Sequence, residues 1–310
     1  MPSTSEDEPE ELSFESLGAH CCNPDLLSAV QSLHEQVTQK KELATDALES
    51  IIVPVFVDLR TSAISQLVWH FPKGIEDYRP LHALNACRLS MHFAQHSGLD
   101  DSKVVQLGSV ALLYDVGMWS TELPPVLEPK AMTQEEMVQI EAHVEGGASL
   151  LEGIAGIDPL CVRVAREHHE RADGTGYPGR LGTDQQHPYS RLLQIIDSFL
   201  GMIEPRSFRK PVSPVEAMQR LAVQAHRGYY HLPTFRDWLK VMGVYPVGTF
   251  VTLNTGELAI IEASGGDSLK RPKVFVLADE LLDFRLNPME LDLTQESAFE
   301  IDAAFTKFPK

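Results

Sequence analysis

The 310-residue chain is 43% hydrophobic and 23% charged, long enough to bury a sizeable core in one or two domains. Its 44 acidic residues against 26 basic ones give a net charge of −18, which argues against broad binding to nucleic acid or to an anionic membrane. No apolar run approaches the length of a bilayer crossing, the start is acidic where a signal peptide is basic, and the four cysteines show no CxxC spacing, so a cytoplasmic chain with reduced thiols is expected.

Residues 1–18 hold six acidic residues and no Lys or Arg, and read as a disordered tail. An N-terminal helical region follows over 19–74. Leu26, Leu27, Val30, Leu33 and Val37 recur at helical intervals and predict one long amphipathic helix from Pro24 to about Ser50. Packing on the main domain is its default role, and a dimer or partner helix the alternative. Ile51 to Leu59 is apolar but short, and contains Pro54 and Asp58.

The central region, 75–243, is helical throughout. Helices are predicted from Leu81 to Gly98, from about Ser102 to Tyr114, and from a capping box at Thr133-Gln134-Glu135-Glu136 through His143 to Leu151. Asp158-Pro159 is an N-cap and first-turn pair for a helix ending near His169. Further helices run from about Tyr189 to Met202, from Ser213-Pro214, and from Thr234 to Met242. Near Tyr245 the period changes. Residues 247–253 and 257–262 flank Asn254-Thr255-Gly256 as a hairpin, and Lys273 to Leu277 adds a third strand, in a small C-terminal extension over 244–310. The fold class is mainly α: a helical bundle with an N-terminal helical region and a small C-terminal β hairpin or sheet.

The most informative string is His168-His169-Glu170-Arg171-Ala172-Asp173 running into Gly174-Thr175-Gly176-Tyr177-Pro178. Neutral imidazoles ligate divalent metal, and Arg171 can pair an anionic oxygen with two donors. The glycines allow backbone to approach a ligand, and Pro178 stiffens the exit of the loop. From Arg163 to Lys210 there are eight basic residues against six acidic ones, so the segment is +2 within a strongly acidic chain and can receive an anion. A solvated mixed-charge surface is the bland alternative. His82, Asp115, His143 and Asp197 are further ligand candidates on helices whose side chains can converge in a bundle core.

The string resembles the signature of the HD-GYP family, metal-dependent phosphodiesterases that act on cyclic di-GMP. The resemblance runs from roughly Ile75 to Lys240, and the hairpin after Tyr245-Pro246-Val247-Gly248 is similar to the family's C-terminal extension. It implies an HD-type bundle and a metal set of His82, Asp115, His143, His168, His169 and Asp197, with Asp115 bridging. One or two divalent ions are implied, Fe or Mn first, with Zn or Ni also compatible. Asp115, Arg171 and Tyr177 fall in the catalytic positions. Arg171, Asp173, Gly176, Tyr177, Pro178, Arg206 and Lys210 fall on the substrate side, facing cyclic di-GMP or a linear dinucleotide. The Gly176-Tyr177-Pro178 loop is also associated in this family with contacts to diguanylate cyclase domains, and a homodimer is a further expected partner.

Three departures cluster at one end of the expected site. Tyr114 stands where the family has the His of its His-Asp doublet, Met118 where it has a Lys, and Tyr78 where trinuclear members place a Glu. A phenol with its ordinary pKa near 10 is a poor ligand, and Met118 carries no charge. Two functions follow: a cyclic di-GMP phosphodiesterase with metal bound and hydrolysis low or altered, or an inactive module that binds nucleotide or a partner.

Overall fold

A computed structural model describes residues 23–40, 43, 46–61, 77–120, 133–204 and 210–305. The acidic tail, Cys21, Cys22, Trp69 and Arg206 lie outside the described residues.

Helix α1, Pro24–Thr38, is opened by the Asn23 side chain, which accepts from the amides of Asp25 and Leu26. It buries Leu26, Val30, Leu33, His34 and Val37, the stripe that the 3.6-residue period predicts. The single helix expected to about Ser50 is instead two. After Val37 the apolar spacing pauses, and Lys40 turns to φ 52 with its amide on the Val37 carbonyl, which ends α1. Helix α2, Glu49–Thr61, then covers the apolar Ile51 stretch with Pro54 inside it.

Helix α3, Arg79–His96, is the axle of the bundle, buried along most of its length. Helix α4, Asp101–Leu113, packs along it and is capped by Asp100, which accepts from the Lys103 amide. A 3-10 turn, Val116–Trp119, follows. The Thr133–Glu136 capping box forms as expected and opens α5, Gln134–Glu141. The helix expected to continue to Leu151 breaks at Ala142, and α6, His143–Glu152, begins anew. The His143 ring bonds back to the Ile140 carbonyl, the group that a continuous helix would direct to the Val144 amide.

Helix α7, Pro159–Glu167, is capped by Asp158. Then come α8, Pro188–Ile203, α9, Pro214–His226, and α10, Leu232–Met242. Trp238 of α10 is fully buried between Phe93 of α3 and Phe199 of α8. Cys87 and Cys161 are buried free thiols, pushed up to about 12 by burial, in keeping with structural roles. Among the described residues, no helix is long and apolar enough to cross a membrane.

The C-terminal sheet is antiparallel in the order β4-β3-β2-β1-β5. The expected hairpin is β1, Phe250–Leu253, against β2, Leu258–Ala263, with Val251 opposite Ala259, and β3, Lys273–Ala278, adds the expected third strand. Strands β4, Phe284–Asp292, and β5, Ile301–Phe305, complete the sheet. They are its edges. Pro288 and the charged residues Arg285 and Glu290 in β4 suit an edge and weaken the strand signal.

His34 of α1 locks this arrangement to the end of α4. Its Nε2 donates to the Leu112 carbonyl at 2.6 Å, and its ring meets Trp119 edge-on at 4.8 Å. Burial lowers its pKa to about 4. A histidine held neutral in the fold but titrating at 6.5 when unfolded stabilises fully above pH 6.5, and that contribution is lost as pH falls toward 4. Denaturant unfolding at pH 7.5 and 5.5 is therefore expected to show a loss of about 1.4 kcal/mol from this residue, one pH unit's worth, which His34→Gln should remove.

Candidate metal centre

Six side chains foreseen as metal ligands meet at one end of the bundle, and most arrive from helix ends. Asp115 follows α4, His143 is the first residue of α6, and His168 and His169 follow α7, while His82 and Asp197 project from α3 and α8. Gly117 sets the closest approach. A Cβ there would overlap the His143 carbonyl oxygen, so only glycine lets the 3-10 turn press onto α6 and bring Asp115 to His143.

The hydrogen bonds of two rings fix what they offer. His143 Nδ1 faces the Ile140 carbonyl and His168 Nδ1 faces the Ala165 carbonyl, at 2.7 Å in the second case. A carbonyl only accepts, so each Nδ1 carries the proton and, in the neutral ring, each Nε2 presents a lone pair. Those two nitrogens stand 3.2 Å apart. Asp115 Oδ1 lies 3.2 Å from the first and 3.9 Å from the second. The ligating nitrogens of His143, His168 and His169 all fall within 4.8 Å of one another. Lone pairs converging on one point repel unless a cation stands among them, so this donor set fits a divalent metal. Burial and the neighbouring His169 and His143 hold His168 well below its ordinary pKa, and burial takes His169 to about 4. Both rings are thus neutral and ready to ligate near pH 7.

The other half of the centre is closed differently. His82 Nδ1 donates to Glu204 Oε2 at 2.7 Å, and Asn85 Nδ2 holds the second Glu204 oxygen at 2.9 Å. His82 Nε2 and Asp197 Oδ1 are 3.1 Å apart, and the Tyr114 hydroxyl touches both, at 2.7 and 3.1 Å. Burial, together with Asp197, Asp115 and Glu204, pushes the Tyr114 phenol well above 10, so it keeps its proton. Burial works against ionisation of Asp197 as well, but the His82 hydrogen bond and the surrounding histidines hold it well below the usual carboxylate range. Glu204 was not foreseen, although it lies seven residues from Asp197 and so on the same face of α8, a signal open to the sequence.

Glu170, inside the signature string, is no part of the donor set. It is buried, and its two oxygens accept from the amides of Gly179 at 2.6 Å and Leu181 at 2.9 Å, clamping the loop that follows. Gly176 is buried where a Cβ would overlap the backbone of Glu170 and Arg171. This close turn lays Tyr177 flat on His169, with centroids 4.9 Å apart. Pro178 is exposed at the crest.

The substrate-side residues are scattered by comparison. Arg171 is exposed, its guanidinium over the Tyr229 ring at 4.7 Å. Asp173 holds the turn through Thr175, accepting from its amide and hydroxyl. Lys210 is exposed on the segment entering α9. Tyr78 precedes α3 with its ring edge-on to His82 at 6.4 Å. Met118 is nearly buried, and a cation unforeseen from sequence stands beside it. Arg79 donates to the Met118 carbonyl at 3.3 Å, is gripped by Asp77, and covers Trp119 at 4.5 Å.

Residues 73–231 match the HD domain family. The chain is 31% identical over 204 residues to a cyclic di-GMP phosphodiesterase of Pseudomonas aeruginosa, covering 66% of this chain and 49% of that protein. It is 25% identical to the 3'3'-cGAMP-specific phosphodiesterase 2 of Vibrio cholerae, covering 57% and 34%, and 29% identical to a cyclic di-GMP phosphodiesterase of Thermotoga maritima, covering 47% and 41%. The chain thus spans half or less of the length of these relatives. Among solved structures, an HDG"Y"P protein of Bdellovibrio bacteriovorus shares the fold with a TM-score of 0.58 at 18% identity, over 76% of this chain and 73% of that one.

Removing the Glu170 carboxylate strands two loop amides. Glu170→Ala is expected to cost about 3 kcal/mol in denaturant unfolding, the scale for a buried charged acceptor with two donors.

Proposed function

The chain belongs to the HD domain family, and on that footing we propose that it is a metal-dependent cyclic di-GMP phosphodiesterase of low or altered hydrolytic rate. The observation that carries the reading is the convergence of His143 Nε2, His168 Nε2 and Asp115 Oδ1, the two rings having their Nδ1 protons already assigned to carbonyls. His169 completes the set. The relatives are named for cyclic di-GMP and 3'3'-cGAMP, which supports a cyclic dinucleotide as the substrate class.

A divalent ion held here would polarise a phosphodiester oxygen and lower the pKa of bound water toward neutrality, with Fe or Mn first among the candidates and Zn or Ni compatible with the same ligands. The chain's own residues supply the rest. The backbone carbonyls of Ile140 and Ala165 keep both Nε2 lone pairs aimed inward, so no ring has to turn when the ligand arrives. Arg171, exposed and stacked on Tyr229, is placed to take a phosphate with two parallel N–H donors. By the family resemblance, Arg206 and Lys210 would add further cationic contacts to a phosphate. Tyr177 screens the outer face of His169 from water and offers an aromatic surface to a base. Asp173, Gly176 and Pro178 act by shaping the loop.

A second reading, an inactive module that binds nucleotide or docks a diguanylate cyclase domain through the Gly176–Pro178 loop, is favoured by one observation: the Tyr114 hydroxyl inside the His82–Asp197 half.

The test is hydrolysis of cyclic di-GMP by anaerobically purified, Fe- or Mn-loaded protein. Slow turnover is expected, with His168→Ala lowering it by more than about a hundredfold through loss of a ligand. No turnover in the parent protein, with tight nucleotide binding in calorimetry, would sink the enzymatic reading and leave the second.

A further inference from the structure

The two halves of the centre differ in what fills them. Around His143, His168 and Asp115, acceptor atoms face one another. Around His82 and Asp197, a hydroxyl lies against both polar atoms. His82 Nε2, Asp197 Oδ1 and the Tyr114 oxygen form a closed triangle with sides of 2.7, 3.1 and 3.1 Å. A first-row divalent ion needs the same nitrogen and oxygen lone pairs at about 2.0–2.2 Å, inside the radius that the hydroxyl already takes.

Neither partner is free to yield. The Tyr114 ring is fully enclosed, edge-on to His168 at 5.0 Å, and its amide closes α4 on the Val110 carbonyl. His82 cannot turn its Nε2 elsewhere while Glu204 holds Nδ1 at 2.7 Å and Asn85 in turn holds Glu204.

We propose that the Tyr114 hydroxyl stands in place of a second metal ion, so that the chain holds a single divalent cation on His143, His168, His169 and Asp115. His82, Asp197 and Glu204 are then not ligands but a hydrogen-bonded frame that positions Tyr114. The proposal rests on the metal-binding reading above and narrows it, since it withdraws His82 and Asp197 from the ligand set. It also gives a physical cause for slow hydrolysis, because one ion cannot clamp both the attacking and the leaving oxygen of a phosphodiester.

The measurement is metal content per chain after anaerobic reconstitution with Mn(II), read by elemental analysis and by the electron paramagnetic resonance signal, which separates isolated from spin-coupled ions. The wild-type protein is expected to hold about one ion with an uncoupled signal, and Tyr114→His about two with a coupled signal. Asp197→Asn, a change of one atom, is expected to keep the wild-type content of about one ion, and serves if Tyr114→His fails to fold. Two coupled ions in the wild type, or loss of the ion in Asp197→Asn, would overturn the inference while leaving the metal-binding reading intact. A folded Tyr114→His protein that still holds one ion would also overturn it. A wild-type protein that takes up no Mn(II) would overturn the metal-binding reading itself.

Discussion

Two backbone carbonyls decide the chemistry of this protein. Ile140 and Ala165 each take the Nδ1 proton of a histidine three positions along, and each thereby turns an Nε2 lone pair into the same small space. Helix geometry explains why these carbonyls are available. Both belong to the last turn of a helix, α5 and α7, where carbonyls have no intrahelical partner. The break between α5 and α6 is therefore part of the site. A continuous helix would engage the Ile140 carbonyl with the backbone and release the His143 ring. Helix ends, glycine at 117 and the ring tautomers form one constraint.

What was legible in the sequence follows from where the information sits. His168-His169 and the loop to Pro178 are contiguous, so their joint chemistry could be read from one string. His82, Asp115, His143 and Asp197 are dispersed, and only likeness to a family joined them before the fold did. Caps were readable because Asp, Ser and Thr act on amides two or three residues away, as at Thr133, Asp158 and Ser213. Long-range partners were not. Nothing local to Glu170 says that its oxygens reach the amides of Gly179 and Leu181. The split of the N-terminal helix and the two edge strands were missed because Lys40 turns left-handed without a glycine, and because β4 carries Pro288 and charged residues that weaken its strand pattern and β5 is short.

The distribution of charge matters more than its total. A chain of −18 repels a dinucleotide at long range, but screening confines that repulsion to about 10 Å at 0.1 M salt. Close to the centre, the local balance governs. Among the described residues, Arg171 has no carboxylate partner and rests on the Tyr229 ring, a support that holds the guanidinium without consuming its charge. Arg79 is the opposite case. Asp77 grips it through two oxygens and Trp119 covers its face, so it braces the 3-10 turn carrying Met118. A cation so engaged has little left to offer a phosphate.

Tyr114 shows how one residue can keep a fold while changing what the fold can bind. A smaller side chain in its place would open the space beside His82 Nε2 and Asp197 Oδ1, polar atoms 3.1 Å apart that would then need another partner. A metal ion answers that need with charge, and a phenol answers it with an O–H bond. The phenol is covalently attached, so its local concentration never falls with metal supply, and the bundle core stays satisfied whether or not metal is present. In the His143 half, His143 Nε2, His168 Nε2 and Asp115 Oδ1 face one another within 3.9 Å. On the proposed single-ion reading, folding and metal binding are separable in one half and coupled in the other, and Tyr114 trades a second ion for a bundle end whose integrity does not depend on it.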